Sequence, residues 1–192
     1  MKDHYIYVDK ARYATSIVAK YLDTAKVNAS EKFYETTFPY DMIFTKADAS
    51  TSNEQVEKLT REFNICYRAC IGSLGYLLST RVDLSFAVHR FARFPSNSGK
   101  LHFEGLVHLL RYIRYNRTLG LKYYADINDA TVSDLLRQAG INTVNQLMDF
   151  SDYIWKDFAD TSRRIGAFNI FYKGGTIDNV THVPGLVSQS GA

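Results

Sequence analysis

The basic residues in the middle of the chain have the type and density that suit contact with phosphate groups. From residue 81 to residue 122 there are eight lysines and arginines and only two acidic residues. Such cations displace counterions from a nucleic-acid backbone, and neighbouring tyrosine or histidine rings pack on sugars and bases. The arginines that we expect to face a nucleic acid are Arg81, Arg90, Arg93, Arg111 and Arg114.

A plainer interpretation of these residues stays open. His108, Arg111 and Tyr115 share one stripe of a predicted helix, away from its apolar side, and any globular protein has such a solvated helix face. The sequence holds no motif of the kinds that read a nucleic-acid groove. The residue pattern alone therefore does not decide between a binding face and an ordinary surface.

Hydrophobic periodicity describes how the first part of the chain is organised. Residues 4–8 alternate in character as a strand does. Asp9 can cap a helix that begins at Lys10 and ends near Asp23. Residues 24–50 show no sustained period and indicate an extended connection, which we expect to cross the surface of a neighbouring domain.

Three further helices are predicted after this connection. Ser52 with Gln55 is the pattern of a capping box, and it begins a long helix that the apolar spacing extends to Leu78. After a break at residues 79–80 a second helix follows, and a third covers residues 100–115. Together these elements predict a helical bundle.

The period changes to two in the last part of the chain. Strands are predicted over residues 147–155, 166–172 and 176–183, and the Gly174-Gly175 pair is a strong hairpin signal. The result is a three-stranded antiparallel meander, whose single apolar face needs a covering layer of helices.

The fold class that follows is α+β, with a helical bundle followed by a partial antiparallel meander. The predicted domains are a helical region over residues 1–123, a linker over residues 124–146 and a sheet domain over residues 147–192. The linker is polar and carries one short predicted helix over residues 132–139.

The composition is that of a folded protein without a membrane segment. Of the 192 residues 46% are hydrophobic and 22% charged, which suffices for a core. No apolar run approaches the roughly 20 residues that cross a bilayer, and residues 1–20 lack the layout of a secretory signal. We expect an intracellular protein of the cytoplasm or nucleus that is not secreted and has no membrane partner.

A set of residues between positions 67 and 94 stands at the spacing of a known motif. The set comprises Tyr67, Arg68, Ile71, Gly72, Ser73, Leu74, Tyr76, Leu77, Thr80, Arg81, Asp83, Phe86, Ala87, Val88, Ala92, Arg93 and Phe94. It resembles the Y-R-x-x-I-G-S-L-x-Y-L and T-R-x-D-x-x-F-A-V segments of Ty1/copia-type retrotransposon polyproteins. The likeness continues through His102, Leu109, Arg111, Tyr112, Leu119 and Gly120.

This resemblance implies the thumb and connection part of a reverse transcriptase, which grips a template-primer duplex or an RNA/DNA hybrid. The five arginines would then face the backbone of that duplex. The chain departs from the family at Val82, where proline is usual, and at Phe103, where tryptophan is usual. Both departures leave the helical plan intact.

A second set of matching residues lies in the predicted sheet domain. It comprises Ser151, Asp152, Trp155, Asp157, Asp160, Thr161, Arg163, Gly166, Gly174 and Gly175. It resembles the start of the family's ribonuclease H domain and implies that Asp152 is the first metal-binding carboxylate. In the intact parent enzyme several carboxylates hold Mg²⁺ ions on either side of the scissile phosphate, so Asp152 alone makes an incomplete site.

We therefore expect a segment of a copia-type reverse transcriptase/ribonuclease H polyprotein, which contributes duplex binding and is not active alone. The palm motif Y-V-D-D does not occur, since Lys10 stands in place of its second acid, and Ala192 precedes the family's next metal-binding glutamate. No cofactor is expected for this chain, and its protein partners would be the missing palm and ribonuclease H segments. The alternatives are a non-catalytic helical module that binds nucleic acid or protein, and an inert transposon remnant.

Overall fold

The computed structural model describes residues 5–27, 34–124, 138, 148–154, 165–172 and 175–182, which contain helices and small antiparallel sheets. The α-helices are α1 (Ala11–Ile17), α2 (Asn53–Phe63), α3 (Tyr67–Leu77), α4 (Ser85–Phe91) and α5 (Lys100–Tyr115). The strands are β1 (Tyr5–Asp9), β2 (Gly120–Tyr124), β3 (Met148–Ile154), β4 (Ile165–Tyr172) and β5 (Gly175–His182).

The first helix begins where the sequence predicts it. The Asp9 carboxylate accepts a hydrogen bond of 2.8 Å from the backbone N–H of Ala11, which satisfies one of the free donors at the start of α1. The helix then passes into a π-helical turn, Val18–Leu22, which carries it close to the predicted end at Asp23. Ala14 and Ile17 are buried on its inner side.

The long helix predicted from Ser52 to Leu78 is two helices in the structure. Asn64 ends α2 in the left-handed conformation, with φ of 55°. The approaching chain stabilises this break, because Lys26 N–H donates to the Phe63 carbonyl at 3.0 Å and the Asn64 side-chain amide donates to the Thr24 carbonyl at 2.9 Å. The sequence prediction was wrong here because the break depends on contacts about forty residues apart in sequence.

The predicted break at residues 79–80 and the two helices after it are present. A 3₁₀ turn, Val82–Leu84, leads into α4, and α5 has the predicted bounds. Gly99 precedes α5 at a point where a Cβ atom would lie 1.7 Å from the Asp48 carbonyl oxygen. Glycine is therefore required there by a close backbone approach.

Helix α5 lies at the centre of the core. Its Phe103, Leu106, Leu109, Leu110 and Ile113 side chains have no exposed surface. Side chains of α1, α3 and α4 cover it, and they are buried with it in one cluster. Burial of apolar surface on this scale is the main force that stabilises the helical part of the chain.

Residues 34–44 form a strap that lies across α4 and α5. The Phe38 ring lies 5.9 Å from the Phe86 ring, and the Phe44 ring lies 5.6 Å from the Phe91 ring, measured between centroids. The sequence prediction that this connection crosses a neighbouring domain was wrong, because its aromatic side chains bury themselves on helices of the same chain.

Two antiparallel sheets accompany the helices. Strands β1 and β2 pair with each other, although more than one hundred residues separate them, and the sequence did not predict β2. Strands β3, β4 and β5 form the predicted three-stranded meander, in that order. The Tyr123 hydroxyl of β2 donates a 2.7 Å hydrogen bond to the Thr176 carbonyl of β5.

Some sequence predictions are not tested by this architecture. The short helix predicted over residues 132–139 falls almost entirely outside the described residues. The likeness of the helical part to a reverse transcriptase thumb and of the meander to ribonuclease H stays a prediction. Within the described part of the chain no helix combines the length and the apolar character that a membrane span requires.

Candidate nucleic-acid interface

Arg81 lies inside the protein, in the 3₁₀ connection between α3 and α4. Only 2% of its surface is exposed. Its Nε and Nη2 atoms donate to the two carboxylate oxygens of Asp83 at 2.9 and 2.7 Å, and its Nη1 atom donates to the Asn116 carbonyl at 2.8 Å. A guanidinium held by three such bonds is satisfied within the chain.

Tyr112 completes this buried group. Its hydroxyl donates to the Asp83 carboxylate at 2.9 Å, and burial together with that carboxylate raises the pKa of Tyr112. Asn116 caps the end of α5, so the group joins the α3–α4 connection to the last turn of the central helix. Arg81, which we expected to face a duplex, forms an ion pair with Asp83 inside the protein.

Arg90 is also inside, on helix α4. It is 7% exposed, and its guanidinium carbon lies 5.1, 5.9 and 5.4 Å from the ring centroids of Phe38, Phe44 and Phe86. A cation over the faces of aromatic rings is stabilised by the negative charge of those faces. Phe38 and Phe44 of the strap thus cover Arg90, which is almost fully buried.

Arg93 is exposed at the end of α4. Its guanidinium carbon lies 5.6 Å from the centroid of the Phe94 ring, which is half-buried. Of the arginines predicted to face nucleic acid, this one is open to solvent, but it lies on a different element from the arginines of α5.

The predicted polar stripe of α5 is present and is partly covered by the strap. His108 Nε2 donates to the Thr36 carbonyl at 2.8 Å, and the Tyr34 ring lies 4.1 Å from the His108 ring. Arg111 Nη1 donates to the Tyr34 hydroxyl at 3.3 Å. Arg111 is therefore half-buried beneath the first residue of the strap.

Beyond the strap, the stripe opens to solvent. Arg114 is half-exposed and forms an ion pair with Asp23 at the end of the first helix. Tyr115 and Arg117 follow at the surface. The sequence has no acidic residue from Gly105 to Tyr124. We call Arg111, Arg114 and Arg117 the basic end of α5.

The structure thus separates the five predicted arginines. Arg81 and Arg90 are interior, Arg93 is exposed just after the end of α4, and Arg111 and Arg114 lie together on α5. Contact with nucleic acid by any of them stays a prediction. The neighbouring Arg117 was counted in the basic stretch but was not singled out, since it lies just beyond the helix whose periodicity guided the choice.

Asp152 lies on β3, where its backbone is paired with Ala167 of β4. Asp157 and Asp160 are outside the described residues. No group of three or more histidine, cysteine, aspartate or glutamate side chains that could hold a metal ion occurs among the residues that the structure describes. The role of Asp152 as a magnesium ligand stays a prediction.

A buried histidine near the start of α5 was not predicted. His102 is fully buried, and its Nδ1 atom accepts a 3.0 Å hydrogen bond from the Gly99 N–H. The Phe44 and Phe94 rings lie 4.4 and 4.0 Å from its own. Burial lowers the pKa of His102 to about 4, so the imidazole is neutral at pH 7.

Three known proteins show what this chain is similar to. It is 35% identical over 78 residues to the retrovirus-related Pol polyprotein from transposon RE1 of Arabidopsis thaliana, which is 35% of this chain and 5% of that polyprotein. The uncharacterized mitochondrial protein AtMg00240 of the same plant is 33% identical over 93 residues, which is 48% of this chain and 69% of that protein. The secreted RxLR effector protein 161 of Plasmopara viticola is 26% identical over 115 residues, which is 59% of this chain and 70% of the effector.

The match to Pol polyproteins covers a small part of those proteins. The chain spans about 5% of the length of the RE1 polyprotein and of the corresponding polyprotein from transposon RE2. No protein-family model matches the chain, and no solved structure matches it. The relationship to Pol polyproteins from transposons is therefore shown over part of the chain.

Proposed function

We propose that the chain derives from a copia-type reverse transcriptase/ribonuclease H polyprotein. The premise is that it belongs to the same family as the uncharacterized mitochondrial protein AtMg00240 and is related in part to transposon Pol polyproteins. Its role in this proposal is to hold a nucleic-acid duplex, either a template-primer duplex or an RNA/DNA hybrid. The palm and the remaining ribonuclease H segments are its protein partners, its location is intracellular, and Mg²⁺ belongs to the complete enzyme.

The observation that carries the duplex-binding role is the basic end of α5. Arg111, Arg114 and Arg117 follow one another at intervals of three, a spacing that keeps the two helical residues on one side of α5. The sequence around them holds no acidic residue for twenty positions, from Gly105 to Tyr124. A phosphate backbone would therefore meet several cations without a repelling carboxylate from the same segment.

The ion pair between Arg114 and Asp23 is compatible with this role. Both side chains are substantially exposed, at 35% and 50%, and exposed pairs of this kind stabilise proteins by about 1 kcal/mol or less. The two free oxygens of a backbone phosphate can accept hydrogen bonds from a guanidinium as a carboxylate does. Exchange of Asp23 for a phosphate would thus require little free energy.

The interior arginines have a supporting role in this proposal. Arg81 fixes the end of α5 through the Asn116 carbonyl and so positions the turn that carries Arg117. Arg90 lies under the strap and stabilises the bundle rather than the duplex. In this proposal the basic end of α5 contacts the phosphates, and Arg93 is a separate exposed cation.

The test is the salt dependence of binding to a labelled RNA/DNA hybrid, measured by fluorescence anisotropy between about 50 and 200 mM salt. Replacing Arg114 and Arg117 together with alanine should weaken binding and lower the slope of log K against log salt by nearly 2, because about 0.9 is lost for each phosphate contact. The matched control replaces Lys58 and Arg61, two exposed cations on α2, with alanine.

The two double variants separate specific from general electrostatics. The proposal requires that the α5 variant lose most of the affinity and that the α2 variant, with the same net charge, keep it. Equal losses in both variants, or a wild-type protein without affinity for the hybrid, would leave the interpretation as a protein-binding module or an inert remnant.

A further inference from the structure

The ribbon of β1 and β2 presents a face with exposed aromatic rings and a lysine. Tyr7 is paired directly with Lys122, and Tyr5 lies two residues before Tyr7. Side chains of directly opposed residues, and of residues two apart in a strand, point to the same side of a sheet. Tyr5, Tyr7 and Lys122 therefore share one face of the ribbon, which we call the tyrosine face.

The tyrosine face is open to solvent. Tyr5 is 51% exposed and Tyr7 is 41% exposed, and Lys122 is exposed as well. Side chains of this size usually bury more of their surface in a folded protein, since aromatic rings contribute much of the energy of a core. Two partly exposed rings on one face can therefore stack against a flat ligand.

Internal contacts hold these side chains in position. The Tyr7 hydroxyl donates to the Thr118 carbonyl, which lies in the turn between α5 and β2. The Lys122 ammonium lies 4.8 Å from the centroid of the Tyr5 ring, over its face. The two rings and the cation are thus arranged before any ligand arrives, which reduces the loss of side-chain entropy on binding.

The charge near this face favours an anionic ligand. Lys122 belongs to the tyrosine face itself, directly opposite Tyr7. Strand β2 carries no acidic residue. Asp9 lies on the same face, two residues beyond Tyr7 and opposite Gly120, where its carboxylate accepts a hydrogen bond from the Ala11 N–H at the start of α1. The Lys122 ammonium lies by the Tyr5 ring instead, so an anionic group is favoured at the Tyr5 end of the face.

We propose that the tyrosine face binds unpaired, single-stranded nucleic acid, with bases stacked on Tyr5 and Tyr7 and a phosphate held by Lys122. Bases inside a duplex have both faces covered by neighbouring base pairs, so flat exposed rings select a strand whose bases are unstacked. Stacking on aromatic rings with a nearby cation tolerates any base, and binding should be largely independent of sequence. This site is separate from the basic end of α5 and does not rest on the duplex-binding proposal.

The experiment measures the affinity of the 192-residue chain for a labelled oligothymidylate of about 15 nucleotides by fluorescence anisotropy. Tyr5→Ala should weaken binding about tenfold, which corresponds to about 1.4 kcal/mol and lies within the contribution expected of one stacked base. Tyr7→Ala should weaken binding to a similar degree, whereas Tyr7→Phe, which keeps the ring but loses the hydrogen bond to the Thr118 carbonyl, should weaken it less. Tyr40→Ala removes a fully exposed tyrosine of the strap and serves as the matched control.

The outcomes divide clearly. Loss of affinity with Tyr5→Ala but not with Tyr40→Ala, together with a Lys122→Ala variant that lowers the salt slope by about 0.7, supports the proposal. Equal affinity in Tyr5→Ala and the wild type overturns it, as does a Lys122→Ala loss without any tyrosine effect, which would be ordinary charge attraction. Failure of the α5 double variant to affect hybrid binding leaves this result unchanged, so the two sites are judged independently.

Discussion

Two arginine–aspartate pairs of the described residues show how differently the same two side chains can be used. Arg81 and Asp83 are two residues apart, and their side chains are 2% and 34% exposed. Arg114 and Asp23 are far apart in sequence, and their side chains are 35% and 50% exposed. The first pair holds the interior of the bundle together, whereas the second lies on its surface and can exchange partners.

This difference indicates that the number of hydrogen bonds a guanidinium donates within the protein distinguishes an arginine that stabilises the fold from one that can bind a ligand. Arg81 spends three of its N–H groups on Asp83 and the Asn116 carbonyl. A buried cation whose partner is removed leaves an uncompensated charge, which is far more unfavourable than the loss of an exposed pair. The following predictions test this contrast.

The largest effect is expected for Arg81→Ala. The change leaves the Asn116 carbonyl without the Arg81 donor and Asp83 with only Tyr112 of its two described donors, and it opens a cavity between the α3–α4 connection and α5. The free energy of unfolding should therefore fall by about 4 kcal/mol. Urea unfolding followed by circular dichroism measures this. Arg93→Ala, at an exposed arginine of the same region, should change the value by less than about 0.5 kcal/mol. Similar losses in both variants would contradict the contrast.

A somewhat smaller effect is expected for Phe44→Ala, which removes a buried ring of the strap. Phe44 is 5% exposed and packs on Phe91 and His102 while covering the guanidinium of Arg90. Loss of the ring should lower the free energy of unfolding by about 3 kcal/mol. In the same urea titration Tyr40→Ala, in the exposed part of the strap, should be nearly neutral; a destabilised Tyr40→Ala would show that the strap is held differently.

The next effect is a pH dependence that arises from His102. Its pKa is lowered to about 4 in the folded protein by burial, against about 6.5 in the unfolded chain. Between these values the unfolded chain binds the proton and the folded protein does not, so stability falls as the pH falls from about 6.5 towards 4. At pH 5 the loss relative to pH 7 should be about 2 kcal/mol.

The variant His102→Gln isolates this contribution. Its glutamine can still accept from the Gly99 N–H, but it does not titrate, so its free energy of unfolding should change less between pH 7 and pH 5 than that of the wild type. If His102→Gln loses as much stability between pH 7 and pH 5 as the wild type does, the buried histidine is not the group responsible.

Much of the fold follows from local patterns. The apolar spacing of α5 predicts its bounds, and alternation with the glycine pair predicts the three strands of the meander. The end of α2 at Asn64 could not be predicted, because its left-handed conformation is held by Thr24 and Lys26 from a distant segment. The pairing of β1 with β2 likewise depends on partners that no local period describes.

The candidate site was less predictable than the fold. Arg90 has the same helical environment in sequence as an exposed arginine, and the strap that buries it is aperiodic. The sequence did contain a local indication for Arg81, because Asp83, two residues later, can form an ion pair with it. Helical periodicity in the sequence identifies which residues share a helix face, but it does not show which segment of the chain covers that face.

The smallest effect is expected at the surface pair itself. A double-mutant cycle of Arg114→Ala and Asp23→Ala should give a coupling energy below about 1 kcal/mol, because both side chains are partly solvated and lose conformational freedom when they pair. The coupling should shrink further when the salt concentration is raised, since exposed charges are screened. A coupling as large as the loss in Arg81→Ala would mean that Arg114 is a structural arginine too, and that a phosphate could not displace Asp23. In that case Arg114→Ala would destabilise the bundle. The contribution of Arg114 to hybrid binding would then be measured with Asp23→Asn, which keeps Arg114 and weakens only its ion pair.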